Sequence, residues 1–452
     1  MAKKREGFTN WTLMHKHIPV ADVEMIEEEG LITGVTHTYQ INHAPIGTIN
    51  KQLNDRLDRK AINTWLKTRS IPASRQNLHQ FFDNFGVANG AALSLRSYGL
   101  SLSDQYWIKP SNLNMPWESV NFFQNEFSDD IGEILFQNKG ATDPDIDIRS
   151  PDYTSEGWLQ KKWMIQNNKR VLVKAGSGTF EQEPYNEEIA SNIMERLGIR
   201  HTPYELVFIK GKPYSLCECY VTEDTELVTA FRLQSHFKPL NSDTNYNHLL
   251  RCCENSGIGN MSNQLEQMMV IDYIIGNTDR HWNNFGFIRD ANTLEWKGFT
   301  PIYDNGTSLW HDKLETSSLI ESKTFKGTQS EQIKLVTDLS WYEPIPKQEL
   351  TDLVTHTLNK NPRINEAIHE QRKEMIIKGV HKQADFITNL KREQSPTIIP
   401  VKTSVKQHTD LEGVDAKLRK GFQPQTNRGQ PNRARESGGS LGKASSNAPP
   451  GL

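Results

Sequence analysis

The chain has 452 residues, which is enough for two or three domains with a large core. Its 52 Lys and Arg residues nearly balance its 55 Asp and Glu residues, and a net charge of −3 is not typical of a protein that coats nucleic acid. No apolar run approaches the roughly 20 residues of a membrane helix, and no apolar stretch follows the basic residues at 3–5. We therefore expect no membrane contact and no signal peptide. The four cysteines form no Cys-x-x-Cys pair, so we expect reduced thiols in a cytoplasmic protein.

Residues 1–140 are predicted to form an N-terminal accessory region. The segment 36–49 favours strands, and the segments 58–70 and 75–86 favour helices. The sequence leaves open whether this region binds a substrate or regulates the rest of the chain.

Residues 141–222 have a β-rich character that predicts a small α+β lobe. A turn at Gly211-Lys212 between two apolar runs indicates a hairpin, and Gly198 is the expected end of the preceding helix. The predicted order is strand, helix, strand, strand, over 171–174, 185–198, 203–209 and 213–221.

Residues 223–395 are predicted to form a mostly helical lobe. The segment 262–276 is apolar on more than one side, as expected of a helix at the centre of a lobe. A second helix is expected over 349–359, where Asn361-Pro362 stops it. Apolar residues recur with helical spacing over 363–392, which predicts a long amphipathic helix.

Residues 396–452 are predicted to be a disordered, basic tail. From Gly421 onward Gly, Pro, Ser and Asn dominate, and such a composition cannot bury enough apolar surface to offset the entropy of the chain. Residues 401–452 hold nine basic and four acidic side chains. We therefore expect any contact with nucleic acid to be indirect or to go through this tail.

The segment 277–304 contains the most informative set of polar residues. Asp279 is followed five positions later by Asn284, and then come two β-type runs, the second of which ends at Asp304. A hairpin would place Asp304 near Asn284. Phosphoryl transfer from ATP needs a carboxylate that orients the attacking hydroxyl and oxygen ligands for magnesium. Asp and Asn are also common turn residues, so this spacing alone would more often be structural.

An upstream lysine supports the phosphoryl-transfer interpretation. Lys174 ends the predicted strand 171–174, and Glu187 and Glu188 lie on the helix that follows. In a kinase-type site such a lysine contacts the ATP phosphates and a glutamate of the next helix holds it. The alternative is a solvated lysine and a glutamate pair that complements the helix dipole. The combination with Asp279, Asn284 and Asp304 favours the functional interpretation.

Four stretches of this sequence resemble the HipA-like Ser/Thr protein kinases, the kinases of bacterial toxin–antitoxin modules. NTDRHWNN resembles the family's catalytic loop, TPIYD its metal-binding Asp segment, and YNEEIASNIMERLGI the helix after its ATP-binding lysine. Glu218-Cys219-Tyr220 resembles its hinge. The resemblance covers about 150–390. It implies an α+β, bilobal kinase fold with a small β-rich N-lobe over 141–222 and a mostly helical C-lobe over 223–395, which the N-terminal domain and the disordered tail flank.

The resemblance also implies roles for individual residues. Asp279 would be the catalytic base, and Asn284 and Asp304 would bind Mg²⁺. Lys174, held by Glu187, would contact the ATP phosphates. ATP and Mg²⁺ would be the cofactors, a Ser or Thr hydroxyl of a protein would be the acceptor, and an antitoxin protein would be a candidate partner.

Other residues take secondary roles in the same scheme. Glu218 and Tyr220 would lie at the adenine edge, and His281 would hold the catalytic loop by hydrogen bonds. Ser155 is a candidate for autophosphorylation in the loop over the ATP phosphates, although a hydroxyl in such a loop is more often a turn residue. The chain departs from ordinary protein kinases in having Asn305-Gly306 after Asp304 and no G-x-G-x-x-G loop before Lys174.

Three other functions remain open from the sequence. A small-molecule or lipid kinase would use the same site, and a non-catalytic interaction protein could retain the nucleotide site alone. The basic tail is the one feature that favours a nucleic-acid enzyme. An active kinase is favoured over these alternatives, because the sequence contains all four of Lys174, Asp279, Asn284 and Asp304.

Overall fold

The computed structural model of the chain describes most residues before position 395. Thr397–Leu452 separates from Met1–Pro396 as a second unit, and the predicted disordered tail lies outside the described residues. The segments that the structure describes are 9–50, 56–70, 87–127, 150–154, 159–316, 319–360 and 366–394.

The N-terminal region contains a four-stranded antiparallel sheet. The strands of this region are β1 (Thr9–His15), β2 (Ile18–Ile26), β3 (Leu31–Thr38), β4 (Ile49–Asn50), β5 (Arg56–Leu57) and β6 (Tyr106–Pro110). The sheet has the order β3–β2–β1–β6, and β4 pairs separately with β5.

Helix α1 (Arg59–Thr68) covers one face of this sheet. The side chain of Asp58 caps the helix by accepting hydrogen bonds from the N–H groups of Lys60 and Ala61. Ile62 and Leu66 are fully buried against alternate residues of the sheet. The helix predicted over 58–70 is therefore confirmed.

The other predictions in this region have different outcomes. The strands predicted over 36–49 are present only in part, because β3 ends at Thr38 and a 3₁₀ turn follows at Ile41–His43. The helix predicted over 75–86 lies outside the described residues. A short helix α2 (Gly90–Ser94) precedes β6.

The second sheet forms the small lobe and is antiparallel throughout. Its strands are β7 (Lys161–Gln166), β8 (Lys169–Ala175), β9 (Glu205–Ile209) and β10 (Lys212–Glu218), in the order β7–β8–β10–β9. Helix α3 (Glu183–Arg196) lies between β8 and β9 in the chain. The predicted order of strand, helix, strand, strand is confirmed, but β7 was not predicted.

The β9–β10 hairpin turns at Lys210-Gly211, one residue earlier than predicted. Both residues have positive φ, 51° and 75°, as two-residue hairpin turns require. Strand β10 ends at Glu218 rather than at residue 221, so the chain leaves the sheet at the predicted hinge.

The C-terminal lobe consists of a three-stranded sheet and six helices in the described residues. The sheet has the order β11–β12–β13, with β11 (Thr225–Thr229), β12 (Gly286–Asp290) and β13 (Trp296–Phe299). The helices are α4 (Ala230–Ser235), α5 (Asn245–Asn255), α6 (Ser262–Ile275), α7 (Gln329–Gln332), α8 (Lys347–Leu358) and α9 (Glu366–Gln394).

The three helices predicted in this lobe are confirmed as α6, α8 and α9. All residues of α6 from Met268 to Ile275 are buried, and Gly276 ends the helix with a φ of 61°. Gly379 of α9 lies against Trp310, where an added Cβ would come within 2.3 Å of the indole ring. None of the helices in the described residues is long and apolar enough to cross a membrane.

Candidate active site

Lys174 is the centre of a buried polar cluster. Its ammonium donates to Glu187 Oε1 at 2.9 Å, to Asp304 Oδ1 at 2.8 Å and to the Tyr204 hydroxyl at 3.2 Å. The lysine and Glu187 are almost fully buried, whereas the Asp304 side chain is one-third exposed. The structure thus brings together three predicted residues that are up to 130 positions apart.

Glu188 does not join this cluster. Its carboxylate accepts from the ammonium of Lys360 at 3.0 Å and from the backbone N–H of Leu206 at 3.1 Å. The two neighbouring glutamates of α3 therefore face different partners, and Glu187 is the one that holds Lys174. Glu187 Oε2 also accepts from the backbone N–H of Asn305 at 2.8 Å.

Tyr204 is a member of the cluster that the sequence did not indicate. Besides contacting Lys174, its hydroxyl accepts from the backbone N–H of Asp304 at 3.2 Å. Asp304 has a φ of 60°, a left-handed conformation that is uncommon for residues other than glycine. The contacts of Tyr204 and Lys174 hold Asp304 in this conformation at the edge of the cleft.

The loop from Asp279 to Asn284 is closed by its own hydrogen bonds. The Asn284 amide Nδ2 donates to the backbone carbonyl of Asp279 at 2.9 Å, and the Asn284 N–H donates to the carbonyl of His281 at 2.8 Å. His281 Nδ1 accepts from the N–H of Asn283 at 3.2 Å. These contacts give Asp279 and Asn284 fixed positions on one side of the cleft.

Arg280 joins the loop to Tyr303, which precedes Asp304 and lies beyond the end of β13 at Phe299, so the second predicted β run ends before Asp304. Its buried guanidinium donates to Asp272 of α6 at 2.9 Å, to the Asn284 carbonyl at 2.8 Å and to the Tyr303 carbonyl at 2.5 Å. Arg280 and Asp272 were not among the predicted site residues. One feature of the sequence could have indicated a buried ion pair at this point: Asp272 is the single charged residue in the apolar run MMVIDYII.

The charges in the cluster shift the pKa values of its members. Burial opposes ionisation of Asp304, but the nearby charges of Lys174, Lys161 and Arg280 outweigh burial and hold the Asp304 pKa well below its usual range. Burial likewise opposes the charge of Lys174, but Asp304 and Glu187 raise the Lys174 pKa well above its ordinary value. For Glu187 burial dominates and raises the pKa despite the contact with Lys174.

A cleft of about 900 Å³ lies against the exposed side of the cluster and against the loop from Asp279 to Asn284. Residues of the N-terminal region, of the small lobe and of the C-terminal lobe line the cleft, so all three parts of the described chain contribute to it. Lys174, Asp279, Asn284 and Asp304 line the same cavity. Such an enclosed, partly apolar cleft with a few converging polar groups is typical of a small-molecule site.

The predicted hinge lies at another part of the same cleft. Glu218 and Tyr220 both line the cavity, and the Tyr220 ring lies 5.4 Å from the ring of Tyr303. The Glu218 carboxylate is half exposed and accepts from Lys169 at 2.6 Å. Its side chain therefore contacts the surface of the sheet.

The segments next to the predicted phosphate loop are only partly described. Ser155 lies outside the described residues, and the Thr154 hydroxyl donates to the Pro151 carbonyl at 3.0 Å. The loop Gly176–Gly178 folds onto the start of α3, where the N–H of Ser177 donates to Glu183 at 2.9 Å. An added Cβ at Gly176 would come within 2.6 Å of the Glu181 backbone, so this close approach requires glycine.

Comparisons with known proteins agree with this geometry. Residues 154–378 match the model of the HipA-like C-terminal domain family. The serine/threonine-protein kinase CtkA of Helicobacter pylori is 30% identical over 160 residues, which are 32% of this chain and 49% of CtkA. The chain thus spans about half the length of the curated relative that it matches.

Two solved kinase structures are similar to this chain. The crystal structure of the H. pylori proinflammatory kinase CtkA has a TM-score of 0.40 and 21% identity, over 52% of this chain and 94% of that chain. HipA of Shewanella oneidensis MR-1, solved with HipB and operator DNA, has a TM-score of 0.50 and 13% identity, over 84% of this chain and 99% of that chain. The HipA comparison shows a shared fold, an α+β kinase fold with a sheet-rich N-terminal part and a helical C-terminal part. Residues 154–378 therefore belong to the HipA-like C-terminal domain family, and the match to CtkA supports a kinase of the HipA-like Ser/Thr type.

Proposed function

We propose that the chain is an ATP- and Mg²⁺-dependent Ser/Thr protein kinase that transfers the γ-phosphate of ATP to a protein hydroxyl. The observation that carries the proposal is the Lys174–Glu187–Asp304 cluster, in which Lys174 and Asp304 line the same cleft as Asp279 and Asn284. A lysine held by a helix glutamate, a loop carboxylate and a pair of oxygen ligands are the parts that phosphoryl transfer requires.

The donor set suits Mg²⁺ bound together with a nucleotide. The amide nitrogen of Asn284 is used by the Asp279 carbonyl, which leaves the amide oxygen of Asn284 as a candidate ligand. Asp304 is ionised because its pKa is held low, and ionised carboxylates are preferred ligands of Mg²⁺. No group of three or more His, Cys, Asp or Glu side chains within the described residues could hold a metal alone, which fits a metal that shares the nucleotide phosphates.

In the proposed reaction each residue has a separate task. Lys174 would hold the phosphates of ATP, and Asn284 and Asp304 would hold Mg²⁺, which neutralises phosphate charge when bound. Asp279 would orient the acceptor hydroxyl and accept its proton while the hydroxyl oxygen bonds to the γ-phosphorus. The bond between this phosphorus and the bridging oxygen breaks, and ADP leaves with the electron pair.

We propose an antitoxin protein as a partner and the cytoplasm as the location. The HipA neighbour was solved with HipB and operator DNA, which supports an antitoxin partner for a chain of this fold. Nucleic acid would then be contacted indirectly, through such a partner, or through the basic residues after position 400. A role as the toxin of a toxin–antitoxin pair belongs to the same proposal.

The acceptor class can be tested with ATP labelled at the γ-phosphate. The full chain is incubated with Mg²⁺ and, in parallel, with a bacterial protein extract, with phospholipid vesicles and with a pool of small alcohols. We expect label on Ser or Thr residues of protein, located by mass spectrometry, and no label when the Mg²⁺ is chelated. Label confined to the lipid or the small-molecule fraction would show a different kind of kinase. Nucleotide binding without any transfer would show a non-catalytic interaction protein.

A further inference from the structure

Lys323 lies directly against the carboxylate proposed as the catalytic base. Its ammonium donates to Asp279 Oδ1 at 2.7 Å, although the two residues are 44 positions apart. Both side chains reach solvent, with exposures of 50% for Lys323 and 24% for Asp279. An ion pair this exposed contributes little to stability, so stability does not explain why Lys323 lies beside Asp279, which lines the cleft.

The turn that carries Lys323 is rigidly built. The backbone N–H of Ser322 donates to the carbonyl of Gly327 at 3.0 Å, which closes the turn. The buried Gln332 side chain accepts from the Ser322 hydroxyl at 2.6 Å and from the Thr324 hydroxyl at 3.0 Å. Because both neighbours of Lys323 point toward Gln332, the lysine between them is directed to the opposite side, toward Asp279.

The same turn is attached to the loop that holds Asp279. Phe325 is buried next to the turn, and its ring packs edge-on against Trp282, three positions after Asp279. Gln329 donates from its side chain to the carbonyl of Asn277 at 2.7 Å, and the Asn277 side chain accepts from the N–H of Asp279 at 2.9 Å. The turn and the loop therefore form one unit that sets the distance between Lys323 and Asp279.

From this arrangement we propose that Lys323 is a positioning residue for phosphoryl transfer, which acts by holding the Asp279 carboxylate toward the acceptor hydroxyl. The inference rests on the proposed kinase function. Lys323 occupies Oδ1, and no described residue donates to Oδ2, so Oδ2 is the oxygen that would accept the proton of the hydroxyl. The bonds made and broken are those of the proposed kinase reaction, and Lys323 itself loses no proton.

The test compares Lys323→Met, Lys323→Arg and Lys326→Met in the full chain. Lys326 is a matched control, because it is an exposed lysine in the same turn. Turnover is measured both as autophosphorylation and as Mg²⁺-dependent ATP hydrolysis, which needs no protein acceptor. We expect Lys323→Met to lower kcat on the order of tenfold or more with an unchanged KM for ATP and an unchanged melting temperature. Lys323→Arg should restore part of the loss, and Lys326→Met should behave as wild type.

A double variant separates positioning from a general structural effect. If Lys323 acts through Asp279, then Lys323→Met should cause no further loss in an Asp279→Asn background. A loss of equal size in both backgrounds would overturn the inference.

The remaining outcomes distinguish this inference from the proposed function. Wild-type turnover in Lys323→Met, with activity lost in Asp279→Asn, would overturn the role of Lys323 and leave the kinase proposal standing. Faster turnover in Lys323→Met would also overturn it, because the ion pair would then restrain Asp279. A wild-type chain without transfer and without ATP hydrolysis would overturn both proposals.

Discussion

Asp304 occupies an environment that few carboxylates share. Its backbone adopts a φ of 60°, Lys174 lies 2.8 Å from one carboxylate oxygen, and Tyr204 fixes its N–H. These charges and contacts keep the carboxylate ionised because they hold its pKa well below the usual range. Local strain that surrounding contacts maintain is common at functional sites, and here it places a carboxylate oxygen at the cleft.

We expect Asp304→Ala to weaken the binding of magnesium-ATP by about tenfold or more, because a direct ligand of the metal is removed. Titration calorimetry with and without Mg²⁺ is the measurement, and the variant should lose most of the gain in affinity that Mg²⁺ gives to the wild type. Asp312→Ala is a suitable control, because Asp312 is an exposed carboxylate paired with Lys313. Equal affinities for magnesium-ATP in Asp304→Ala and wild type would show that Asp304 is not a ligand.

Whether a residue of the site could be predicted depended on how far along the chain its partners lie. Asp279 and Asn284 could be recognised because their five-residue spacing is itself a pattern. Tyr204 and Lys323 could not, because each reaches the site through a contact between elements that are distant in the chain. A tyrosine that enters a strand or a lysine in a turn has no local signature of its partner.

At the scale of elements, periodicity predicted the long helices and the strands β8 to β10 well. Strand β7 was missed because KKWMIQ begins with two lysines, and its one buried residue is Lys162, so the strand shows no apolar alternation. The early end of β10 at Glu218 was also missed, because the apolar run continues to Val221 while the chain turns into the hinge.

Two glycines show how close contacts between elements escape prediction. Gly286 begins β12, and an added Cβ would come within 2.3 Å of the Val228 carbonyl on the paired strand β11. Gly379 allows Trp310 to pack directly on α9. In the sequence the first glycine lies in a β-type run and the second interrupts a helical pattern, and neither pattern indicates the close contact that the glycine permits.

For the molecule as a whole, a buried charged network joins the N-terminal region to the C-terminal lobe. Glu226 of β11 accepts from Arg289 of β12 at 2.7 Å and contacts His15 Nε2 of β1 at 2.9 Å. Arg289 also donates to the Tyr106 hydroxyl of β6 at 3.0 Å. Burial would raise the Glu226 pKa, but Arg289 and His15 outweigh burial and lower it to about 2.

We expect Glu226→Gln to lower the free energy of unfolding by about 3 kcal/mol at pH 7, because it leaves Arg289 buried without its partner charge. The folded-state pKa of Glu226 lies below its ordinary value of 4.5, so its contribution is fully present above that value and is lost as the pH falls toward 2. The free energy of unfolding is measured in urea at pH 7 and near pH 3. The difference in this free energy between wild type and Glu226→Gln should be smaller near pH 3 than at pH 7.

Glu349→Gln provides the control for this measurement. Glu349 pairs with Arg196 at a half-exposed site, so its loss should change the unfolding free energy little at either pH. If the difference in unfolding free energy between Glu226→Gln and wild type were the same at both pH values, this would contradict a lowered pKa of Glu226.

In the proposed reaction Asp279 accepts the hydroxyl proton in a cleft that binds magnesium-ATP. The most direct test measures transfer of labelled phosphate by wild type, Asp279→Asn and the exposed control Asp352→Asn of α8. We predict a loss on the order of a hundredfold or more in Asp279→Asn, with magnesium-ATP affinity nearly unchanged, and wild-type transfer in Asp352→Asn. Wild-type turnover in Asp279→Asn would contradict the claim.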